Sequence, residues 1–155
     1  MEMVIRGVEV KIDEDDSHWV LCWSYHVLRS KKAKTIYVQR SDGKLLHRLL
    51  MGLELGDRRQ VDHINGDGLD NRRENLRIVT QAQNQANRGR NRNNKSGLKG
   101  VYWNKTKGAW QTSIQMGGRK NNKSIYLGRY ATKEQAYEAY KEGARKYQGE
   151  FARFE

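Results

Sequence analysis

Two adjacent side chains, Asp62 and His63, have the chemistry that hydrolysis of a phosphodiester requires. The His63 imidazole titrates near neutral pH, so it can accept a proton from an attacking water. The Asp62 carboxylate is a charged oxygen ligand for a cation, and Asn84 adds a neutral amide oxygen further along the chain. We interpret Asp62 and Asn84 as ligands of one divalent metal and His63 as the base beside it.

The surrounding segment predicts a strand over 60–64, a loop over 65–76, a strand over 77–80 and a helix over 81–88. Adjacent residues of a regular strand point to opposite faces, so Asp62 and His63 share a site only if the strand ends, twists or bulges there. The glycines that follow make such a turn plausible. Asn75 in the loop either ties the loop through backbone hydrogen bonds or orients His63, and the sequence leaves both open. The run 62–66 alone is equally typical of a hairpin turn with an incidental histidine.

The upstream chain predicts mostly β structure. A hairpin turns at Gly7, two strands run over 23–28 and 35–40, and the acidic run 13–16 indicates a turn or a helix cap. The basic loop 30–34 between those strands either touches DNA or is solvated. Leu46, Leu49 and Leu50 predict a helix with a buried face, which leaves His47 and Arg48 toward the site or solvent; taken alone, His47 is more typical of a packed or exposed histidine than of a catalytic one. Trp19, Trp23 and Tyr25 are predicted core residues.

Cysteine and histidine usage constrains the metal. One cysteine, Cys22, excludes an internal disulfide, and four histidines form no cluster of zinc-finger spacing. We therefore expect a hard ion, magnesium or manganese, and no structural zinc. No apolar run approaches the length of a membrane span and no signal pattern begins the chain, so we expect a soluble, cytoplasmic protein, inside the host cell if phage-encoded.

The excess positive charge is confined to one part of the chain. Residues 1–87 carry 14 Lys and Arg against 13 Asp and Glu, whereas residues 88–155 carry 16 against 5. A basic domain beside a near-neutral one is typical of polyanion binding, although a basic surface kept for solubility is the alternative. The aperiodic basic stretch 88–97 is interpreted as a linker that either follows a nucleic-acid backbone or is a passive tether.

Residues 98–155 predict three strands and a helix. Alternation sends Val101, Trp103, Trp110, Thr112, Ile114, Ile125 and Leu127 to one face of the sheet. The helix is predicted to begin at Thr132 with a capping box to Gln135, and to pack through Ala136, Tyr140, Gly143, Ala144 and Tyr147. The other face of the sheet is polar, aromatic and bordered by cations, which favours reading of base edges. The candidate DNA-binding residues of this region and the linker are Arg88, Arg90, Arg92, Lys95, Lys99, Tyr102, Asn104, Lys107, Ser113, Gln115, Arg119, Ser124 and Tyr126.

The first motif resembles a known nuclease family. Asp-His-Ile-Asn-Gly at 62–66, Asn-Arg-Arg-Glu-Asn-Leu-Arg at 71–77, a short strand at 78–80 and Asn84 closely resemble the HNH nucleases of phage homing endonucleases. The run 46–49 is similar to the family's lead-in, which adds His47 to the candidate catalytic residues. The resemblance implies that His63 activates water, that Asp62 and Asn84 bind the ion, and that Asn75 is the structural middle asparagine. Many relatives carry histidine where Asn84 stands, and some carry zinc-binding cysteine pairs that this chain lacks.

The second region resembles the plant APETALA-type, ethylene-response DNA-binding domain. The likeness rests on Lys99–Val101, Trp110, Tyr126–Gly128, Thr132–Ala139 and Ala144–Lys146. That family reads DNA from its three-stranded sheet, and the resemblance places its contacts on Lys99, Tyr102, Asn104, Ser113, Gln115, Ser124 and Tyr126. Several of these positions are arginine or tryptophan in the plant proteins. The target sequence is therefore not inherited with the domain.

The predicted fold class is α+β: an N-terminal β-rich region over 1–44, a ββα-metal HNH core over 45–87, the linker, and a three-stranded antiparallel sheet packed on one helix over 98–155. The predicted function is a metal-dependent endonuclease that cuts double-stranded DNA at a specific target, as a monomeric, nicking homing enzyme of a phage or mobile element. The alternative is a catalytically inactive, sequence-specific DNA-binding regulator on an HNH scaffold. The target, the preferred metal and the role of the N-terminal sheet do not follow from the sequence.

Overall fold

The computed structural model describes residues 1–29, 36–54, 56–117 and 123–154, and the chain divides into two compact units, Met1–Val79 and Thr80–Glu155. Both units mix helices with small antiparallel sheets. The predicted mixed class is therefore confirmed, as is a three-stranded sheet packed on one helix. Within the described ranges, no helix is long and apolar enough to cross a membrane.

The first unit begins with a hairpin and a short helix. Strands β1 (Glu2–Ile5) and β2 (Val8–Lys11) pair antiparallel, and the turn between them has positive φ at both Arg6 and Gly7, as a tight hairpin turn requires. Helix α1 (Glu14–Val20) follows, with Asp13 as its N-cap residue. The acidic run thus forms a helix start, where negative charge is favourable.

Two further hairpins and a helix complete this unit. Strands β3 (Tyr25–Arg29) and β4 (Ile36–Arg40) pair antiparallel, and the predicted basic loop 30–34 between them lies outside the described residues. Helix α2 (Leu46–Leu50) precedes β5 (Gln60–His63), which pairs antiparallel with β6 (Leu76–Val79). A single 3-10 turn, Arg73–Asn75, leads into β6.

One apolar core holds these elements together, centred on Val10, Ile12, Val20, Val38 and Leu46, all with no exposed surface. Trp19 and Tyr25 pack against it as predicted. The prediction for Trp23 is wrong. It lies in the turn before β3 and is 51% exposed, with the Arg40 guanidinium 4.2 Å from its ring centroid. The ring therefore covers a cation at the surface instead of filling the core.

The second unit begins with helix α3 (Gln81–Asn87), whose Thr80 and Gln83 form a capping box. Strands β7 (Val101–Asn104), β8 (Ala109–Met116) and β9 (Lys123–Tyr130) form an antiparallel sheet in the order β7-β8-β9. Helix α4 (Lys133–Gln148) packs on one face of the sheet. The predicted capping box between Thr132 and Gln135 is present.

Small residues let α4 approach the sheet. A Cβ on Gly143 would lie 2.7 Å from the Ile114 and Leu127 side chains, and one on Gly100 would lie 2.1 Å from the Tyr140 ring. Ala136, Tyr140, Gly143 and Ala144 are buried as predicted. Tyr147 is 37% exposed, so its predicted place in the packing stripe is wrong. It lies in the last turn of α4, with the Lys146 ammonium 5.3 Å from its ring centroid.

The boundary between the two units falls between Val79 and Thr80, whereas the sequence predicted a first domain that ends at residue 87. Helix α3 groups with the second unit because it contacts β8 and the 3-10 turn Gly149–Phe151, and because Lys99 Nζ donates a 2.6 Å hydrogen bond to the Ala86 carbonyl. The stretch 88–97, expected to be a linker, is hydrogen-bonded within the second unit. Arg90 Nη1 donates to the Gly97 carbonyl at 3.1 Å, and Ser96 Oγ donates to the Val101 carbonyl at 2.7 Å.

Candidate functional site

The end of strand β5 carries the two residues singled out by their chemistry. Asp62 is 7% exposed and His63 is 4% exposed. The β5–β6 register continues without a bulge to the pair His63–Leu76, so the two side chains leave opposite faces of the hairpin. The strand ends at His63, where the Ile64 amide donates to the Asn75 carbonyl at 2.9 Å. The strand thus ends directly after the pair, and it contains no bulge that would bring the two side chains to one face.

Asp62 lies directly opposite Arg77 in the register. Arg77 donates from Nε and Nη2 to Asp62 Oδ2 at 3.1 and 3.0 Å. Their side chains are 8% and 16% exposed, so this ion pair is largely shielded from water. The position of the Asp62 carboxylate therefore favours a positive charge beside it.

His63 is oriented by Asn71, a residue that the sequence analysis did not single out. Asn71 has no exposed surface, and its Oδ1 lies 3.3 Å from His63 Nε2. A carboxamide oxygen only accepts, so this contact assigns the ring hydrogen to Nε2 and the basic lone pair to Nδ1. The signal for Asn71 was its place in the motif at 71–77, beside the better recognised Asn75.

His47 from α2 packs edge-on against His63, with ring centroids 4.9 Å apart. The Tyr37 ring lies 5.3 Å from His47 and 5.9 Å from His63. Of the two predicted orientations, His47 thus takes the one toward the site. Burial, with smaller contributions from the charges of His63 and Arg48, lowers the pKa of His47 to about 3. Its Nδ1 is buried without a hydrogen-bond partner in the described ranges, so the ring is neutral near pH 7.

Burial also lowers the pKa of His63, against the opposing effects of Asn71 and nearby carboxylates. The imidazole is therefore unprotonated at neutral pH, which is the form that accepts a proton. A charged His63 would have to sit beside the neutral, buried His47. The packing of the two rings therefore favours a neutral His63, and the neutral form is the one that a general base needs.

Asn75 ties the glycine-rich loop together. Its Oδ1 accepts a 3.0 Å hydrogen bond from the Asn65 amide, and its Nδ2 donates to the Asp70 carbonyl at 2.7 Å. Asp70 is itself held by Arg72, with both guanidinium contacts at 2.8 Å. Of the two alternatives for Asn75, the geometry supports the loop tie, because Asn71 is the residue that contacts the His63 ring.

The donor set for a metal consists of oxygen atoms. Within the part of the chain that the structure describes, no group of three or more His, Cys, Asp or Glu side chains is placed to hold an ion. Asp62 lies in the first unit, and Asn84 lies in α3 of the second. One carboxylate and one amide oxygen fit magnesium or manganese, which keep several waters in their shells. These oxygen donors are of the type that such ions prefer, but an ion reaches the Asp62 carboxylate only by displacing the Arg77 guanidinium.

The polar face of the second unit's sheet is a connected network. Asn104 Nδ2 donates to Gln111 Oε1 at 3.0 Å, and Gln111 Nε2 lies 3.4 Å from the Tyr126 hydroxyl. Gln115 Nε2 donates to Ser124 Oγ at 3.2 Å. The register places Ser113 opposite Tyr126 and Gln115 opposite Ser124, past an irregularity at Thr112/Ser113. Gln111 is a member of this face that the candidate list lacked.

The structure places the predicted DNA-binding residues in different surroundings. Tyr102 and Tyr126 are 44% and 54% exposed, as reading residues must be. Lys99 is turned inward: its Nζ donates to the Ala86 and Arg153 carbonyls at 2.6 and 3.0 Å, and burial lowers its pKa to about 8. Lys99 thus connects α3 to the C-terminal segment.

Arg119 lies outside the described residues. Exposed side chains are found at Arg88, Arg90, Arg92, Lys95 and Lys107.

Two family profiles match the chain over the two regions described above. The profile of the HNH endonuclease family matches residues 44–86, and the AP2 domain profile matches residues 96–150. The chain carries an HNH endonuclease domain and an AP2 domain. The HNH match runs from just before α2 into α3, so α3 continues the HNH motif in sequence although it groups with the second unit in the fold. The AP2 match covers the whole three-stranded sheet and α4.

Part of the chain also resembles a curated phage protein. The chain is 34% identical over 62 residues to Protein 3.8 of Escherichia phage T7. The match covers 40% of this chain and 51% of the relative, so the chain spans about half the length of the curated protein it resembles. No solved structure matches the chain.

Proposed function

We propose that this protein is a metal-dependent DNA endonuclease that hydrolyses phosphodiester bonds at a specific target, as a monomeric, nicking homing enzyme of a phage or mobile element. One observation carries the proposal. The neutral, buried His63 ends β5 directly after Asp62 in the chain, and both residues lie inside the segment that matches the HNH family. A proton acceptor and an oxygen ligand for a cation are the two groups that phosphodiester hydrolysis needs.

His63 takes the proton of the attacking water, and Asn71 orients its ring through the contact at Nε2. Asp62 and Asn84 are the residues that would hold the magnesium or manganese ion, which when bound supplies positive charge to the phosphate oxygens and the leaving group. Asn75 keeps the loop after β5 in one conformation. His47 packs on His63 and limits the motion of its ring.

The AP2 domain supplies target recognition in this proposal. Tyr126 and the amides of Asn104 and Gln115 offer donors and acceptors from one face of the sheet, where the buried Gln111 amide joins Asn104 to Tyr126, and polar side chains of this kind read base edges in the major groove. Basic side chains at the border, such as Lys107, hold phosphates and set the register of the protein on the duplex. Binding is expected to be strongly salt-dependent, given the charge of this unit.

The direct test is cleavage of supercoiled plasmid carrying phage or host DNA, with and without magnesium or manganese, followed by mapping of the ends. We expect metal-dependent conversion to the nicked circle at a defined position. Conversion straight to linear DNA would contradict nicking by a monomer. Plasmid that stays intact with either metal, although the protein binds it specifically, would contradict the enzyme proposal as a whole.

One observation favours the alternative of an inactive DNA-binding regulator. The Asp62 carboxylate is held by the Arg77 guanidinium in a largely buried ion pair, and a carboxylate held in this way competes poorly for a metal. If this pair never opens, the HNH fold serves only as a scaffold. Specific DNA binding without cleavage, unchanged by His63→Ala, would support the regulator. Cleavage that His63→Ala abolishes would exclude it.

A further inference from the structure

A cavity of about 730 Å³ lies in the second unit, between the segment that follows α3 and the edge of the sheet. Strand β7 pairs only with residues 109–112 of β8, so the rest of β8 has a strand partner on one side only, β9, within the described residues. The cavity lies along this edge, beside Ser113, whose amide donates to the Gly100 carbonyl at 3.2 Å, and beside Gln115. Its volume is in the range of pockets for small organic ligands.

The charges of the lining residues indicate which class of ligand the cavity binds. Arg88, Lys95, Lys99 and Lys105 contribute to the walls, and no Asp or Glu is among the lining residues. Asparagine and glutamine side chains supply most of the other polar groups. Lys99 is anchored by two carbonyls and therefore holds its charge at a fixed place in the wall. A cavity with four cations and no carboxylate favours an anionic ligand.

Aromatic rings select a ligand with a flat face. Trp103 and Trp110 are paired across β7 and β8, with ring centroids 5.2 Å apart and planes at 65°, and both line the cavity. Trp103 is 47% exposed although alternation assigned it to the covered face. A tryptophan that stays half open beside cations can stack on a nucleobase, whose phosphate the cations then hold.

One polar atom in the wall is left without a partner. Gln148, near the end of α4, donates from Nε2 to the Gln115 carbonyl at 3.2 Å, which covers part of the open β8 edge. Its Oε1 is buried and accepts no hydrogen bond within the described ranges. A buried acceptor without a donor is costly. An N–H on the edge of a base would satisfy it once the Gln148 side chain turns its Oε1 toward the cavity, whereas a phosphate could not.

From this combination we infer that the cavity binds an unpaired nucleotide of a single DNA strand, at a place that adjoins the polar face of the sheet and shares Ser113 and Gln115 with it. A paired base is stacked on both sides and presents only its edges, so it offers no face to Trp103. An unpaired base can enter, stack on Trp103, and donate to Gln148 Oε1 while Arg88 or Lys105 holds its phosphate. The inference rests on the DNA partner proposed above, and it adds single-stranded DNA to the ligands of the second unit.

The test is binding of a labelled mixed-sequence hexanucleotide and of a labelled duplex to the full chain, by fluorescence anisotropy. Trp103→Ala removes the stacking ring, and Gln148→Leu removes the amide while keeping the size of the side chain. We expect each variant to weaken hexanucleotide binding about tenfold and to leave duplex binding within about twofold, because stacking is lost only for an unpaired base. Trp23→Ala, which removes an exposed tryptophan of the first unit, is the matched control and should change neither.

Unchanged hexanucleotide binding in either variant would overturn the inference, and so would an equal loss for hexanucleotide and duplex, which would assign these residues to duplex reading. Thermal melting of each variant checks its fold, and Gln148→Leu keeps the test valid if Trp103→Ala does not fold. Plasmid cleavage is measured in parallel. A chain that nicks plasmid but binds no hexanucleotide contradicts only the cavity inference, and one that binds hexanucleotide but never cleaves contradicts only the nuclease proposal.

Discussion

The two units differ in how far their polar and aromatic side chains are exposed to solvent. In the first, Asp62, His63, Asn71 and Asn75 are all less than 9% exposed and sit in a web of hydrogen bonds and ring contacts. In the second, Tyr102, Trp103 and Tyr126 are each more than 40% exposed. The first unit is nearly neutral, with 14 basic against 13 acidic residues, whereas residues 80–155 carry 16 against 5.

This difference follows from what each kind of site must do. A hydrolytic site needs groups whose positions and protonation states are set before the substrate arrives, and burial supplies both. A recognition surface needs donors, rings and charges that the nucleic acid can reach, and much of its affinity comes from counterion release. A protein that both cuts and recognises DNA is expected to separate the two kinds of surface in this way.

The largest effect should come from the buried base. We expect His63→Ala to reduce plasmid cleavage by about 100- to 10,000-fold, because proton transfer loses its acceptor, while DNA binding stays nearly unchanged. Single-turnover nicking measures the rate and anisotropy measures binding. The matched control is His26→Ala, a histidine of the same unit that contacts Gln39. Equal losses of cleavage and binding in the His63 variant would mean that the first unit also recognises DNA.

The second prediction concerns the exposed cations after α3. Replacing Arg88, Arg90 and Arg92 together by alanine should lower the slope of log affinity against log salt by about 2 to 3, since each phosphate contact contributes about 0.9. The measurement is duplex binding over a range of salt concentrations. Replacing Arg59 and Arg72 of the first unit is the comparison, because both already pair with carboxylates. A similar fall in slope for this control would contradict the proposed difference between the two units.

The third prediction concerns the effect of the buried His47 on the pH dependence of the unfolding free energy. Its pKa is about 3 in the folded chain against an ordinary value of 6.5, so the unfolded chain binds more protons between these values. The stability that this neutral ring allows is present above pH 6.5 and is lost as pH falls toward 3. Between pH 7 and 4.5, we expect the unfolding free energy of the native protein to fall more than that of His47→Leu, by on the order of 2 kcal/mol. Urea titrations at both pH values measure this, and equal pH dependence would contradict it.

The smallest effect concerns Arg77. Replacing it by methionine removes the cation that pairs with Asp62, so we expect the affinity for manganese without DNA to rise about tenfold. Isothermal titration calorimetry measures that affinity without reference to cleavage. Arg72→Met, which removes a guanidinium from Asp70 instead, should leave it unchanged. A fall in affinity for the Arg77 variant would show that Arg77 supports the carboxylate in binding the ion.

Local pattern was sufficient for much of the fold. The strand predicted over 60–64 is observed as β5, Gln60–His63, and the capping box of α4 was predicted from Thr132 and Gln135, because alternation and capping depend on residues a few places apart. Trp23 and Tyr147 were misassigned to the interior. Both rings are exposed and lie beside a cation: Arg40 reaches Trp23 only in the folded chain, whereas Lys146 is the sequence neighbour of Tyr147.

The same division holds for the sites. The residue types at 62, 63, 75 and 84, the charge asymmetry and the polar face of the sheet all follow from the order of residues, since they are properties of single positions or of one strand. The contact of His47 with His63, the orientation of that ring by Asn71, the Arg77 pair on Asp62 and the inward turn of Lys99 required the folded chain. Each joins side chains whose proximity depends on packing between elements, and periodicity within one element carries no information about such contacts.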